Sequence, residues 1–153
     1  GWIDCRSQPG EGTTFDIYLP AVDGDEADAP DVESHAGVTI LVVDDEEHVR
    51  DTTRRLLVRK GYEVLVADNG PQALQMVQAG RPCVDVVLLD LSMPGMSGDE
   101  VLPRLRQIAP DVKVVIFTGY TADALDVLGG DGVVHKPIQV DDLLERIDEV
   151  LSR

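Results

Sequence analysis

The stretch VTILVVDDEE, residues 38–47, drives six strand-forming residues straight into four consecutive acids. A continuous apolar run of this length reads as a strand buried on both faces, the condition of strands in parallel sheets. Four similar runs follow: YEVLVA (62–67), VDVVLL (84–89), KVVIFT (113–118) and GVVHK (132–136). The intervals between them carry helical signals. After the first run, Val49, Thr53, Leu56 and Leu57 share one face, with Arg50, Arg54 and Arg55 elsewhere, and Gly61 stands at a C-terminal cap. Gly70-Pro71 opens a second helix whose inner face is Ala73, Leu74 and Val77. Ser97-Gly98-Asp99-Glu100 has capping-box spacing, and Pro103 predicts a kink or a later start in the helix it opens. Thr121–Leu128 reads as a short helix. The last helix carries Leu143, Leu144, Ile147, Val150 and Leu151 on one stripe. Strand and helix alternate five times, which predicts an α/β domain over 38–153: a doubly wound five-stranded parallel sheet with helices on both faces.

Ligands in such sheets bind beyond the carboxyl ends of the strands. Strand one ends in Asp44-Asp45-Glu46, strand three in Asp90, strand four in Thr118 and strand five in Lys136-Pro137. Taken singly, each has a bland reading as a solvated loop acid, a turn residue or a surface charge. Their joint placement at four strand ends argues for a site. Clustered carboxylates repel one another without a cation, and an oxygen-only donor set suits Mg²⁺. A carboxylate can also act as a nucleophile toward phosphorus, with metal, ammonium and hydroxyl stabilising the charge on the transferring group.

Composition narrows the function classes. The chain has 153 residues and a net charge of −16. Residues 1–37 hold nine acids against Arg6 alone, so the first quarter carries half of the excess. That balance repels a phosphate backbone and speaks against nucleic-acid binding. No apolar run is long enough to span a bilayer, residues 1–10 are not a signal peptide, and direct membrane contact is not expected. Cys5 and Cys83 form no metal-ligand spacing and read as reduced thiols of a cytoplasmic protein. Residues 1–20 contain two β-prone runs, Trp2–Arg6 and Thr14–Leu19, around a Gly/Pro turn, and predict a hairpin. Residues 21–37 are acidic, poor in packing residues, and read as a linker.

The segments ILVVDDEE (40–47), VVLLDLSMPGMSGDE (86–100), VIFTGYT (115–121) and HKP (135–137) resemble the response-regulator receiver family in order and spacing. The resemblance spans 38–153 and implies the flavodoxin-like strand order 2-1-3-4-5. It makes Asp90 the phosphoacceptor, Asp45 a direct Mg²⁺ ligand, Asp44 a ligand through water, and the Ser92 backbone carbonyl a further ligand. Thr118 becomes the switch hydroxyl and Lys136 the partner of the phosphoryl oxygens, with a cis Lys136–Pro137 bond. Such a domain catalyses only its own phosphorylation and dephosphorylation, and the family leaves room for a weak homodimer. Two positions depart from the pattern. Val133 stands where relatives usually carry Tyr or Phe, and Ile138 where they often carry Phe, which puts an aromatic-coupled output switch in doubt.

Ser7 to Pro20, read as S-x-P-G-x-G-T-T-F-x-I-Y-L-P, resembles the last hairpin of the ATP-binding domain of sensor histidine kinases. The nucleotide-binding boxes of that domain are absent. The two resemblances together imply the carboxyl-terminal part of a hybrid sensor histidine kinase. Its receiver would take a phosphoryl group from a phosphohistidine, in cis, and pass it to a histidine phosphotransfer protein or feed back on the kinase. Three competing readings are weaker. A receiver-like interaction module that is never phosphorylated would be free to lose members of the acidic set. A phosphatase of the haloacid dehalogenase type wants a second Asp two residues after its nucleophile, where this chain has Ser92. A flavin carrier would not place acids after strand one. Tyr120, two residues after Thr118, is expected to shield an acyl phosphate from water.

Overall fold

A computed structural model of the chain describes residues 2–8, 12–18, 35, 37–80, 82–119 and 129–153. The helix expected over Thr121–Leu128, the shielding role of Tyr120, the hairpin turn at 9–11 and the linker up to residue 34 lie outside them.

The chain opens with β1 (Trp2–Gln8) and β2 (Gly12–Tyr18), paired antiparallel with Trp2 opposite Tyr18 and Gln8 opposite Gly12. The two β-prone runs thus form the expected hairpin, with both strands reaching further toward the turn. A second sheet holds β3 (Thr39–Val43), β4 (Glu63–Ala67), β5 (Val86–Asp90), β6 (Lys113–Thr118) and β7 (Gly132–His135), all parallel, in the order β4-β3-β5-β6-β7. This is the order 2-1-3-4-5. Among the described residues the helices are α1 (Glu47–Arg59), α2 (Gly70–Ala79), α3 (Gly98–Ile108) and α4 (Val140–Leu151).

Side chains alternate across the pleat, so each central strand feeds two cores. Leu41, Val43, Val87, Leu89, Val114 and Ile116 pack with Ala73 and Val77 of α2 and Val101, Leu102 and Leu105 of α3. Ile40, Val42, Val86, Leu88, Val115 and Phe117 pack on the other face with Leu57 of α1 and Leu143, Ile147 and Val150 of α4. Burying each such side chain contributes roughly 1.5–3 kcal/mol, which makes the sheet the rigid base on which its end loops are fixed.

Local chemistry sets the element boundaries. Gly61, at φ 90°, ends α1: its N–H donates to the Val58 carbonyl and the Tyr62 N–H to Leu57, a Schellman pair. The Asn69 side chain caps α2 by accepting from Gln72 N–H at 2.8 Å. Strand β5 starts at Val86, two residues later than its apolar run; at Asp85 the carboxylate takes the Thr39 N–H at 2.8 Å, while the Asp85 N–H still donates to the Thr39 carbonyl at 2.9 Å. The later start allowed by Pro103 does not occur. Helix α3 begins at Gly98 and continues through the exposed Pro103, with the Glu100 carboxylate accepting from the Ser97 N–H at 3.3 Å. Gly98 has a reason of its own: a Cβ there would fall 2.4 Å from the Asp90 carbonyl oxygen, so only glycine lets α3 start against the end of β5.

At the opposite edge, Asp131 joins β6 to the approach of β7. Its Oδ2 accepts from Arg106 Nη2 at 2.6 Å and from the Val114 N–H at 2.7 Å. Burial pushes the carboxyl up, but the Arg106 and Val114 hydrogen bonds, with the Arg106 and Lys113 charges, outweigh it and hold it below its ordinary value of 3.8. A lowered carboxyl stabilises the fold above its unfolded pKa and loses that contribution as pH falls through the folded one. Asp131→Asn should lower the melting midpoint at neutral pH by about 5 °C. Melts of both proteins across pH should show the gap closing below about pH 4.

Candidate functional site

The four strand ends named by the sequence meet at one end of the sheet. Asp44 follows the last residue of β3, Asp90 closes β5 beside it, Thr118 closes β6, and Lys136 follows β7. Register fixes their levels: Asp90 pairs with Phe117 and Thr118 with His135, and the Lys136 N–H donates to the Thr118 carbonyl at 2.9 Å.

Lys136 is the centre. Its Nζ donates to Asp44 Oδ2 at 2.9 Å and to Asp90 Oδ2 at 2.9 Å, and lies 5.7 Å from the centroid of the buried Phe117 ring. Asp44 and Asp90 are 1% and 2% exposed, so two carboxylates are buried side by side. The remaining oxygens are also used: Asp44 Oδ1 accepts from the Glu46 N–H at 2.8 Å and Asp90 Oδ1 from the Ser92 N–H at 3.1 Å. Burial pushes the Asp44 carboxyl above its ordinary range against the pull of Lys136 and the Glu46 N–H. Burial also works to lower the Lys136 ammonium, and its hydrogen bonds to Asp90 and Asp44 outweigh that and raise it. The Lys136–Pro137 bond is cis.

One oxygen from each of Asp44, Asp45 and Asp90 lies within 4.8 Å of the others, with Asp45 exposed at the mouth. Mg²⁺ holds oxygens at about 2.0–2.1 Å and keeps several waters, so an oxygen-only set of this spread suits it. The donor chemistry therefore fits a hard divalent cation. Ser92 is exposed and joined to Asp90 through its N–H. Thr118 is fully buried on the strand next to Asp90, one residue beyond its level.

Sequence reasoning missed Arg50. Its Nη1 donates to the Asp44 backbone carbonyl at 2.7 Å. The available signal was its place six residues after Asp44, one turn into α1 on the side of the strand end, but an Arg among Arg54 and Arg55 looks like a solvated face.

The model of the response-regulator receiver domain family matches residues 40–148. The chain belongs to this family. Its receiver is CheY-like, with the clustered acidic triad typical of phosphoaccepting members. The sensor kinase CckA of Brucella abortus is 34% identical over a match that takes in 100% of the chain and 18% of that protein. The response regulator MprA of Mycolicibacterium vanbaalenii is 37% identical over 76% of the chain and 51% of that protein. The chain thus spans about a fifth and about half of these two relatives. Among solved structures, the response regulator TrrA of Thermotoga maritima, in complex with Mg²⁺ and BeF, superposes with a TM-score of 0.68 at 36% identity. That superposition covers 74% of the chain and 98% of TrrA.

A raised carboxyl costs stability once ionised: folding favours its protonated form, so the penalty grows as pH rises from 3.8 through the folded pKa. Asp44→Asn should therefore raise the melting midpoint of the receiver in EDTA at neutral pH by a few degrees. Adding MgCl₂ should narrow or reverse the difference, because only the wild-type site gains the cation. A variant that melts below wild type in EDTA would contradict this electrostatic reading.

Proposed function

We propose that this receiver accepts a phosphoryl group on Asp90 from a phosphohistidine, with Mg²⁺ as the required ion. The observation that carries the reading is the ammonium of Lys136 held equally between Asp44 and Asp90, with Asp45 beside them. Asp45 would hold the ion directly, Asp44 through water, and the Asp90 carboxylate and Ser92 carbonyl would complete the protein ligands. When bound, the ion neutralises charge on the transferring oxygens. An Asp90 oxygen attacks phosphorus, the P–N bond breaks, and its electron pair stays with the leaving imidazole. Lys136 then trades a carboxylate oxygen for a phosphoryl oxygen, and the Thr118 hydroxyl donates to another.

The larger context is also proposed. Residues 1–20 would be the final hairpin of a histidine-kinase ATP-binding domain, 21–37 an acidic linker, and 38–153 the receiver of a hybrid sensor kinase. Two observations support this: the antiparallel pairing of β1 with β2, and a sensor-kinase match that extends over hairpin and linker as well as receiver. The donor would then be the parent kinase's own phosphohistidine, with onward transfer to a histidine phosphotransfer protein or feedback on the kinase. No described helix is long and apolar enough to cross a membrane, and we place the receiver in the cytoplasm. Val133, half-buried on β7 where relatives usually carry an aromatic ring, favours a second reading, a receiver-like module that binds partners without being phosphorylated.

Intact-mass measurement after incubation with a small phosphodonor and MgCl₂ separates the two. Wild type should gain one phosphoryl group, Asp90→Asn none, and Lys136→Met should react about 100-fold more slowly. Wild type that stays unmodified with ample donor and metal would leave only the second reading.

A further inference from the structure

We infer that Arg50 is a positioning residue that sets the metal affinity of the acidic site through the peptide plane between Asp44 and Asp45. The inference rests on the Mg²⁺-dependent reading above and deepens it. Among the described residues, no hydrogen bond or ion pair holds the Asp45 side chain, which is exposed at the mouth of the site. The backbone that carries it therefore sets the origin from which the carboxylate reaches the site. That backbone is pinned from both ends. The Asp44 N–H donates to the Ala67 carbonyl at 3.2 Å, and the Glu46 N–H donates to Asp44 Oδ1 at 2.8 Å. The carbonyl between them, Asp44 O, belongs to the same rigid peptide unit as the Asp45 nitrogen. Arg50 Nη1 holds it at 2.7 Å, a charge-assisted bond in a half-buried position. The Arg50 N–H also makes the first helical bond, to the Glu46 carbonyl at 3.0 Å, so the guanidinium is braced on a formed turn of α1.

Removing this group has two effects of opposite sign on cation binding. Loss of a positive charge beside three carboxylates strengthens Mg²⁺ binding by Coulomb attraction. Loss of the hydrogen bond frees the peptide plane, scatters the Asp45 carboxylate and weakens binding. A short bond from a fixed guanidinium outweighs the screened charge of a group facing solvent on one side.

Calorimetric titration of the full chain with MgCl₂ decides between them. Arg50→Met should bind Mg²⁺ about tenfold more weakly than wild type, with a melting midpoint in EDTA only a few degrees lower. Arg50→Lys, which keeps a donor and the charge, should recover affinity to within about threefold of wild type. Equal or tighter binding by Arg50→Met would overturn the inference, as would weak binding by Arg50→Lys equal to that of Arg50→Met. If Arg50→Met does not fold, Arg50→Leu, which also lacks a donor, takes its place under the same criteria. Wild type that binds no Mg²⁺ would instead sink the underlying reading, so the two failures are distinct.

Discussion

Two carboxylates buried side by side repel each other and lose their hydration, and the end of this sheet exists on condition that something positive stands between them. That group is Lys136, with Nζ at 2.9 Å from both Asp44 and Asp90. The arrangement is balanced: burial works against the charged forms of Asp44 and Lys136, and the hydrogen bonds and charges between them pull the other way. A site held in such balance is poised to exchange partners. A divalent cation or a phosphoryl group entering it replaces existing contacts, which is the property a reversible acceptor needs.

The fold supplies what the side chains cannot arrange alone. Parallel strands all end on the same side, so residues 44, 90, 118 and 136, far apart in sequence, come to one edge. The order β4-β3-β5-β6-β7 places β3 and β5 next to each other at the centre, which puts Asp44 beside Asp90. Dense packing on both faces keeps those ends from drifting. Gly98 lets α3 start against the Asp90 carbonyl, so any displacement at the end of β5 is felt directly by that helix.

Most of this was legible in the sequence, because the strands are mostly apolar runs and the site residues sit at or just beyond their carboxyl ends. Parallel pairing followed from burial on both faces, and the acidic cluster from the shared direction of the strands. What stayed hidden depended on geometry that residue type does not encode. The Asp85 carboxylate, just before β5, takes the Thr39 N–H, a contact that residue type alone does not announce. Pro103 is tolerated because it lies on the exposed side of α3, where the lost hydrogen bond is open to water. The equal sharing of Lys136 is a matter of tenths of an ångström, and the reach of Arg50 to a main-chain oxygen leaves no trace in charge or hydropathy.

The central claim is that Asp44, Asp45, Asp90 and Lys136 form one electrostatic unit organised for a divalent cation. Carboxyl-carbon and lysine side-chain NMR during a MgCl₂ titration tests it most directly. The three carboxyl signals and the Lys136 signal should move together with a single midpoint, while Asp85 and Asp131, outside the acidic cluster, stay still. Movement of Asp45 alone, or separate midpoints for Asp44 and Asp90, would show independent surface acids and contradict the account.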